Sequence, residues 1–220
     1  MGTLYVAGVP AGDPDDLTYR ARRVLGSVRL WVAADPARAR SRLAGCDVGE
    51  PRAGTRPVQD ALPALAEGDV ALVVDGARPA PGDEGRWLVG EALAHGFPVV
   101  PVPGPAQPLT ALIVSGLPGD SFIYLGELPE AEAARTAVIK EVADERRTLV
   151  FSISGEVARA AGDLHDALGD RPLVIVAGGG FAQSAPWRGT LAGALDAEGA
   201  LAGSGDYVLV VGGSTEEPSA

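Results

Sequence analysis

Short runs of valine, leucine, isoleucine and alanine recur along this chain, each followed by a segment with helical spacing. "TLYVAGV" (3–9), "LWVAA" (30–34), "VALVV" (70–74) and "FPVVPV" (97–102) read as strands. Between them, "DDLTYRARRVLGSV" opens on aspartates expected to cap a helix and keeps Leu17, Ala21, Val24 and Leu25 on one face, while "GRWLVGEALAHG" closes on a glycine. A strand without polar alternation has no side to give to water. The pattern therefore requires a mostly parallel sheet covered by helices on both faces, and the first half is an α/β domain.

The rhythm restarts after Pro108. A helix is expected over 108–116, a strand in "SFIYLG" (121–126), a helix in "EAEAARTAVIKEVADE" and a strand in "RTLVFSIS" (147–154). The helix "EVARAAGDLHDAL", the strand "PLVIVA" (172–177) and the strand "DYVLVVGG" (206–213) complete it. Each half can build its own layered unit, which predicts an N-terminal α/β domain over 1–103 and a C-terminal one over 104–220. The join falls in "PVPGPAQPLTALIVSGLP", where prolines limit the backbone freedom of an interdomain linker.

The chain has 220 residues, 46% of them hydrophobic, enough to bury a substantial core. No apolar run approaches the roughly 18 residues that span a bilayer, and "MGTLYVAGVPAGD" lacks the basic start and long apolar stretch of a signal peptide, so no membrane partner and a cytoplasmic location are expected. One cysteine, Cys46, excludes an internal disulfide, and with two histidines, His95 and His165, far apart in sequence, no metal site is expected. The net charge of −11 argues against a general nucleic-acid binder. Its distribution is uneven: residues 1–56 hold nine arginines against six acids, from Arg20, Arg22 and Arg23 to Arg38, Arg40, Arg42 and Arg56. That concentration makes an Arg-rich N-terminal face a candidate RNA surface, against the alternative of ordinary solvated helix faces.

Several chemistries are missing their motifs: there is no phosphate loop ending in Gly-Lys-Ser/Thr, no G-x-G-x-x-G after the first strand and no G-x-S-x-G elbow. The informative segments are loops that follow strands. "VPAGDPDD" (9–16) and the eleven-residue "DGARPAPGDEG" (75–85) stand where open α/β sheets bind ligands, and the second is long for such a connection. In the second half, Gly178 to Gly180 directly follow a strand, where backbone can approach a ligand closely.

Taken in order, "GTLYVAGVPAGDPDDLTYRARRVLGSV", "VALVVDGARPAPGDEGRWLVGEALAHGFPVVPVPGPAQPLTALIVSGLP", "DRPLVIVA", "WRGTL" and "DYVLVV" resemble the tetrapyrrole methylase superfamily over essentially the whole chain. The branch they most resemble methylates the ribose 2′-oxygen of a cytidine in bacterial 16S ribosomal RNA. The resemblance implies two α/β domains with S-adenosylmethionine in the cleft between them, and a homodimer. It places Val9, Pro10, Asp75, Gly76, Ala77, Arg78, Ala106, Gln107, Ala177 and Gly178 at the cofactor, with the "WRG" of Trp187 to Gly189 completing the second wall. A ribose hydroxyl gains from a proton acceptor, and the candidates are Asp13, Asp35 and Asp75.

Framework positions match that branch more closely than polar ones. T-P-I-G-N stands here as "VPAGD", A-E-D-T-R as "AADPAR", P-G-P-S-A as "PGPAQ" and Y-E-S-P-H-R as "SISGEVAR"; the branch's small C-terminal extension is expected to be missing. These departures define the alternative expectation, a catalytically inactive paralogue that keeps the fold as a binding module.

Overall fold

Leu30 and Val32 turn to one side of a sheet and Trp31 and Ala33 to the other, and all four are buried. This double burial follows from the unbroken apolar sequence, because successive strand residues face opposite sides. In the computed structural model, residues 2–76, 82–178, 185–197 and 204–214 are described. They divide into two units, Met1–Gln107 and Pro108–Ala220.

The first unit is built on β1 (Leu4–Val9), β2 (Leu30–Ala33), β3 (Thr55–Pro57), β4 (Val70–Asp75) and β5 (Val99–Val102), all parallel, in the order β3-β2-β4-β1-β5. Helices α1 (Tyr19–Ser27) and α2 (Pro36–Leu43) pack on one face with Val9, Trp31 and Val73. On the other, α3 (Ala61–Glu67) and α4 (Gly82–Ala94) pack with Leu4, Val32 and Leu72. The helices that follow β1 and β2 thus lie opposite the helix that follows β4. Strand β4 stands between β1 and β2, so a crevice opens at the carboxyl ends of these three strands.

Two local features differ from expectation. The aspartates before α1 do not cap it: Asp13 accepts from the Asp15 amide in a 3₁₀ turn over Pro14–Asp16, and Thr18 Oγ1 accepts from the Ala21 amide at the helix start. Both are short side chains able to cap, and the proline at 14 fixes which turn starts first. Strand β3 has no sequence signal, because its three residues "TRP" lie on an edge with two of them exposed, where proline costs no ladder bond.

The second unit contains α5 (Gln107–Ser115), β6 (Phe122–Glu127), α6 (Glu132–Lys140), β7 (Thr148–Glu156), α7 (Val157–Leu168), β8 (Pro172–Ala177), β9 (Trp187–Thr190), α8 (Leu191–Asp196) and β10 (Ser204–Val211). Its sheet runs β6-β7-β10-β8-β9; β6 and β7 are parallel, and β10 is antiparallel to both neighbours. Helix α7 buries Val157, Ala160, Ala161, Leu164 and Leu168, a stripe at helical spacing that meets Phe151, Ile175 and Leu209. Removing one such leucine side chain costs about 2–5 kcal/mol. On the opposite face, α5 covers Val150, Val174 and Val208 with Ala111 and Leu112.

Two buried cations anchor this unit. Arg135 donates from Nε to Asp163 Oδ2 at 2.5 Å and from a terminal nitrogen to the Pro129 and Glu130 carbonyls at 3.0 and 2.7 Å. Arg171 donates to the carbonyls of Leu168 (3.0 Å), Glu145 (3.4 Å) and Ala143, gathering the end of α7 and the turns after α6. Carbonyls at helix ends carry partial negative charge, which suits a guanidinium there.

Candidate functional site

Three backbone segments of the first unit approach one another so closely that only glycine fits. A Cβ on Gly104 would lie 2.2 Å from the Gly8 carbonyl oxygen, and one on Gly76 would lie 2.6 Å from Val9 O and 2.7 Å from Pro105 O. The contacts are tied by hydrogen bonds: the Gly76 amide donates to Val9 O and the Gln107 amide donates to Gly76 O, each at 2.8 Å. Thr18 Oγ1 adds a bond to Pro103 O at 3.2 Å. The end of β1, the end of β4 and the "PGPAQ" turn therefore form one rigid junction, the use that close-packed glycines serve.

Beside this junction lies the crevice, with a volume of about 380 Å³. Its floor is apolar, with Val9, Ala33, Leu72 and Val73; Asp35, Arg38, Arg42, Asp75, Asp83 and Glu84 supply its charged lining. That size and mixture match small-molecule sites, which fall at about 300–1,000 Å³ with an apolar lining and a few polar groups.

The charged lining follows from the spacing of α2. Ala39 and Leu43 point into the core, so Arg38 and Arg42, also four apart, share an adjacent stripe. Both reach Asp75 at the end of β4: Nε of Arg38 lies 2.6 Å and Nε of Arg42 3.2 Å from the same oxygen, Oδ2. Arg42 also donates from a terminal nitrogen to the Ala11 carbonyl in the loop after β1. Asp35 Oδ1 caps α2 by accepting from the Arg38 amide at 2.9 Å. Cys46 donates its thiol proton to the Arg42 carbonyl at 3.4 Å, and burial pushes its pKa up against a smaller opposing pull from Arg22.

The structure brings Val9, Asp35 and Asp75 together at the crevice, and puts Gly76 and Gln107 in the adjoining junction; Pro10 is buried directly after Val9, and Ala106 is half-buried. Asp13 is spent on its own turn and is not part of the crevice lining. Ala77 and Arg78 lie outside the described residues. Ala177 and Gly178 belong to the second unit, where Ala177 ends β8 and the Gly178 amide donates to Asp206 O at 2.5 Å. Nearby, Ser154 Oγ lies 2.8 Å from Glu127 Oε1 and 2.9 Å from Asp206 Oδ1, and its single proton serves one carboxylate at a time. Arg188 of the "WRG" segment donates to the Val114 and Ser115 carbonyls, capping the end of α5.

Sequence reasoning did not single out Arg42 as a site residue. The signal was present as Arg38 and Arg42 four apart beside a buried Ala39–Leu43 pair, but their common target on β4 is set by tertiary packing. Among the described residues, no group of three His, Cys, Asp or Glu side chains could hold a metal ion, and no helix is long and apolar enough to cross a membrane.

The chain thus has two α/β units, the first with a ligand-sized crevice at its topological switch point. Comparison with known proteins narrows the class. The sequence profile described as Tetrapyrrole (Corrin/Porphyrin) Methylases matches residues 3–195, and the chain belongs to that family. It is 35% identical over 183 residues to the ribosomal RNA small subunit methyltransferase I of Thermotoga maritima, covering 80% of this chain and 82% of that one. To the protein of the same name from Micromonospora olivasterospora it is 36% identical over 185 residues, covering 79% of this chain and 58% of that one. The crystal structure of uroporphyrin-III-C-methyltransferase from Thermus thermophilus superposes with a TM-score of 0.64 at 25% identity, covering 96% of this chain and 94% of that one. A second structure of that Thermus enzyme, complexed with S-adenyl homocysteine, shares the fold with a TM-score of 0.60 at 22% identity, covering 96% and 92%.

Proposed function

We propose that this chain is an S-adenosylmethionine-dependent methyltransferase acting on ribosomal RNA, at a ribose 2′-oxygen. The observation that carries the reading is the crevice at the carboxyl ends of β1, β2 and β4, in a chain whose relatives share the name ribosomal RNA small subunit methyltransferase I. Those relatives favour transfer over the inactive-paralogue alternative.

The residues present fit the cofactor. The floor of Val9, Ala33, Leu72 and Val73 suits an adenosyl group, and carboxylates outnumber guanidiniums in the described lining, which suits a sulfonium and an ammonium. When bound, S-adenosylmethionine supplies an electrophilic methyl group; a C–S bond breaks, a C–O bond forms and the hydroxyl proton leaves. The protein holds donor and acceptor in contact and excludes water, which accounts for most of the rate of such an in-line displacement. On the cofactor side we place Val9, Pro10, Asp75, Gly76, Ala106 and Gln107. Of the three candidate proton acceptors, Asp35 is the best placed. It lines the crevice, and only its Oδ1 is used for capping; Asp75 Oδ2 is already directed at two guanidiniums.

For RNA we propose the outer face of α1. Tyr19 is 92% exposed, and neither the Arg20 nor the Arg23 side chain, both exposed beside it, has a hydrogen-bond or ion-pair partner among the described residues. An open aromatic ring flanked by guanidiniums stacks bases and attracts phosphates. Homodimerisation and a cytoplasmic location belong to the same reading, and light scattering at twice 22.3 kDa checks the first. The decisive experiment transfers tritium from labelled S-adenosylmethionine to purified 30S subunits and maps the product. Label at a ribose oxygen supports the reading; saturable cofactor binding without transfer to any RNA refutes it.

A further inference from the structure

Arg42 joins elements that are remote in sequence. It stands in the last turn of α2, with 21% of its side chain exposed, and binds both the Asp75 carboxylate and the Ala11 carbonyl. Asp75 precedes Gly76, whose amide holds Val9 O and whose carbonyl holds the Gln107 amide. One guanidinium thus ties the loop after β1, the end of β4 and, through the backbone, the "PGPAQ" turn. No backbone ladder does this, because the loop from Pro10 to Thr18 lies beyond the end of β1.

We propose that Arg42 is a positioning residue that fixes the mouth of the crevice and thereby sets ligand affinity. It acts through Asp75 and the Ala11 carbonyl. The role belongs to arginine because a planar fork meets two acceptors in fixed directions, whereas a lysine ammonium is a single point donor. The choice of ligand rests on the methyltransferase reading; the tethering itself does not.

The test uses the full chain and the variants Arg42→Met and Arg42→Lys, with Lys140→Met, an exposed site on α6, as the control. Hydrogen exchange on the ligand-free proteins reports the tether. In Arg42→Met, amides of residues 11–17 exchange about tenfold faster while those of α7 keep their rates, because only a local tie is lost. Arg42→Lys retains the pairing with Asp75 but leaves the 11–17 loop fast. Calorimetric titration with S-adenosylhomocysteine then gives an affinity about tenfold weaker for Arg42→Met than for the parent. Unchanged exchange at 11–17, acceleration spread over the whole unit, or affinity within twofold of the parent despite a loosened loop each overturn the proposal. If the parent itself does not bind S-adenosylhomocysteine, the functional reading fails, and the exchange data still decide the tether.

Discussion

Replacing Gly104 by alanine tests the glycine junction directly. The new methyl carbon would stand 2.2 Å from the Gly8 carbonyl oxygen, 2.4 Å from its carbon and 2.7 Å from its Cα, all backbone atoms that no rotamer can move. Carbon and oxygen settle at about 3.3 Å, so the two segments must part by about 1 Å. Parting strains the β1–β5 ladder at Ala7 and Val102, the bond from Thr18 to Pro103 and the bond from Gln107 to Gly76. Two or three bonds at about 1 kcal/mol each, with the cost of overpacking, give a loss of about 3 kcal/mol, close to a hundredfold in the folding equilibrium. For a unit of this size that lowers the melting temperature by roughly 10–20 °C. Scanning calorimetry, with fluorescence of Trp31, 2% exposed in the same unit, reads it. Gly26 is the internal control. It sits near the end of α1, where an added methyl would meet nothing within 4 Å, so Gly26→Ala should stabilise by about 0.5–1 kcal/mol. A Gly104→Ala protein that melts within about 2 °C of the parent, well inside the 4–8 °C expected per kcal/mol, refutes the close-approach argument.

Arg171→Met strands the carbonyls of Leu168, Ala143 and Glu145 in a buried place and should destabilise by about 2–4 kcal/mol in urea unfolding, with Arg171→Lys recovering part; a neutral result would mean that water replaces the guanidinium. The hydrogen bonds and charge of Arg147 hold the Glu145 carboxyl down to about 2, so the stability it brings is present above the ordinary value of 4.5 and is lost as pH falls toward 2. Glu145→Gln should flatten that part of the acid limb, and a carbon NMR titration with its midpoint at the ordinary value contradicts the pairing. Asp35→Asn keeps a good helix cap but removes the charge, so turnover should fall about 10²-fold or more with KM little changed; an equal fall in stability instead would assign Asp35 to capping alone. Arg20→Gln with Arg23→Gln should lower the slope of log K against log salt for RNA by about 2, and an unchanged slope moves the RNA surface elsewhere.

Much of the fold was legible because its strands are short, apolar and doubly buried, and because glycine and threonine or aspartate mark helix ends. "VALVV" and "LVIVA" are short and rich in valine and isoleucine, and both form interior strands. What escaped notice was carried by few residues: β3 has one half-buried side chain, and β9 begins the segment "WRGT", whose pairing with β8 needs the sheet already in place. The cap of α1 escaped because Asp13 and Thr18 are both competent, and the chain uses both.

For the site, sequence named the loops and the carboxylates, since glycine, proline and aspartate after apolar strands mark ligand-facing turns. It did not say which of Asp13, Asp35 and Asp75 would meet. That depended on α2 packing beside the end of β4, where the 1.5 Å rise per residue carries Arg38 and Arg42 to one oxygen of a residue more than thirty positions away. Local chemistry is written in local sequence, so caps, strands and turns can be read from it. The crevice is a property of non-adjacent strands, and the packing of helices on opposite faces of one sheet decided where its charges stand.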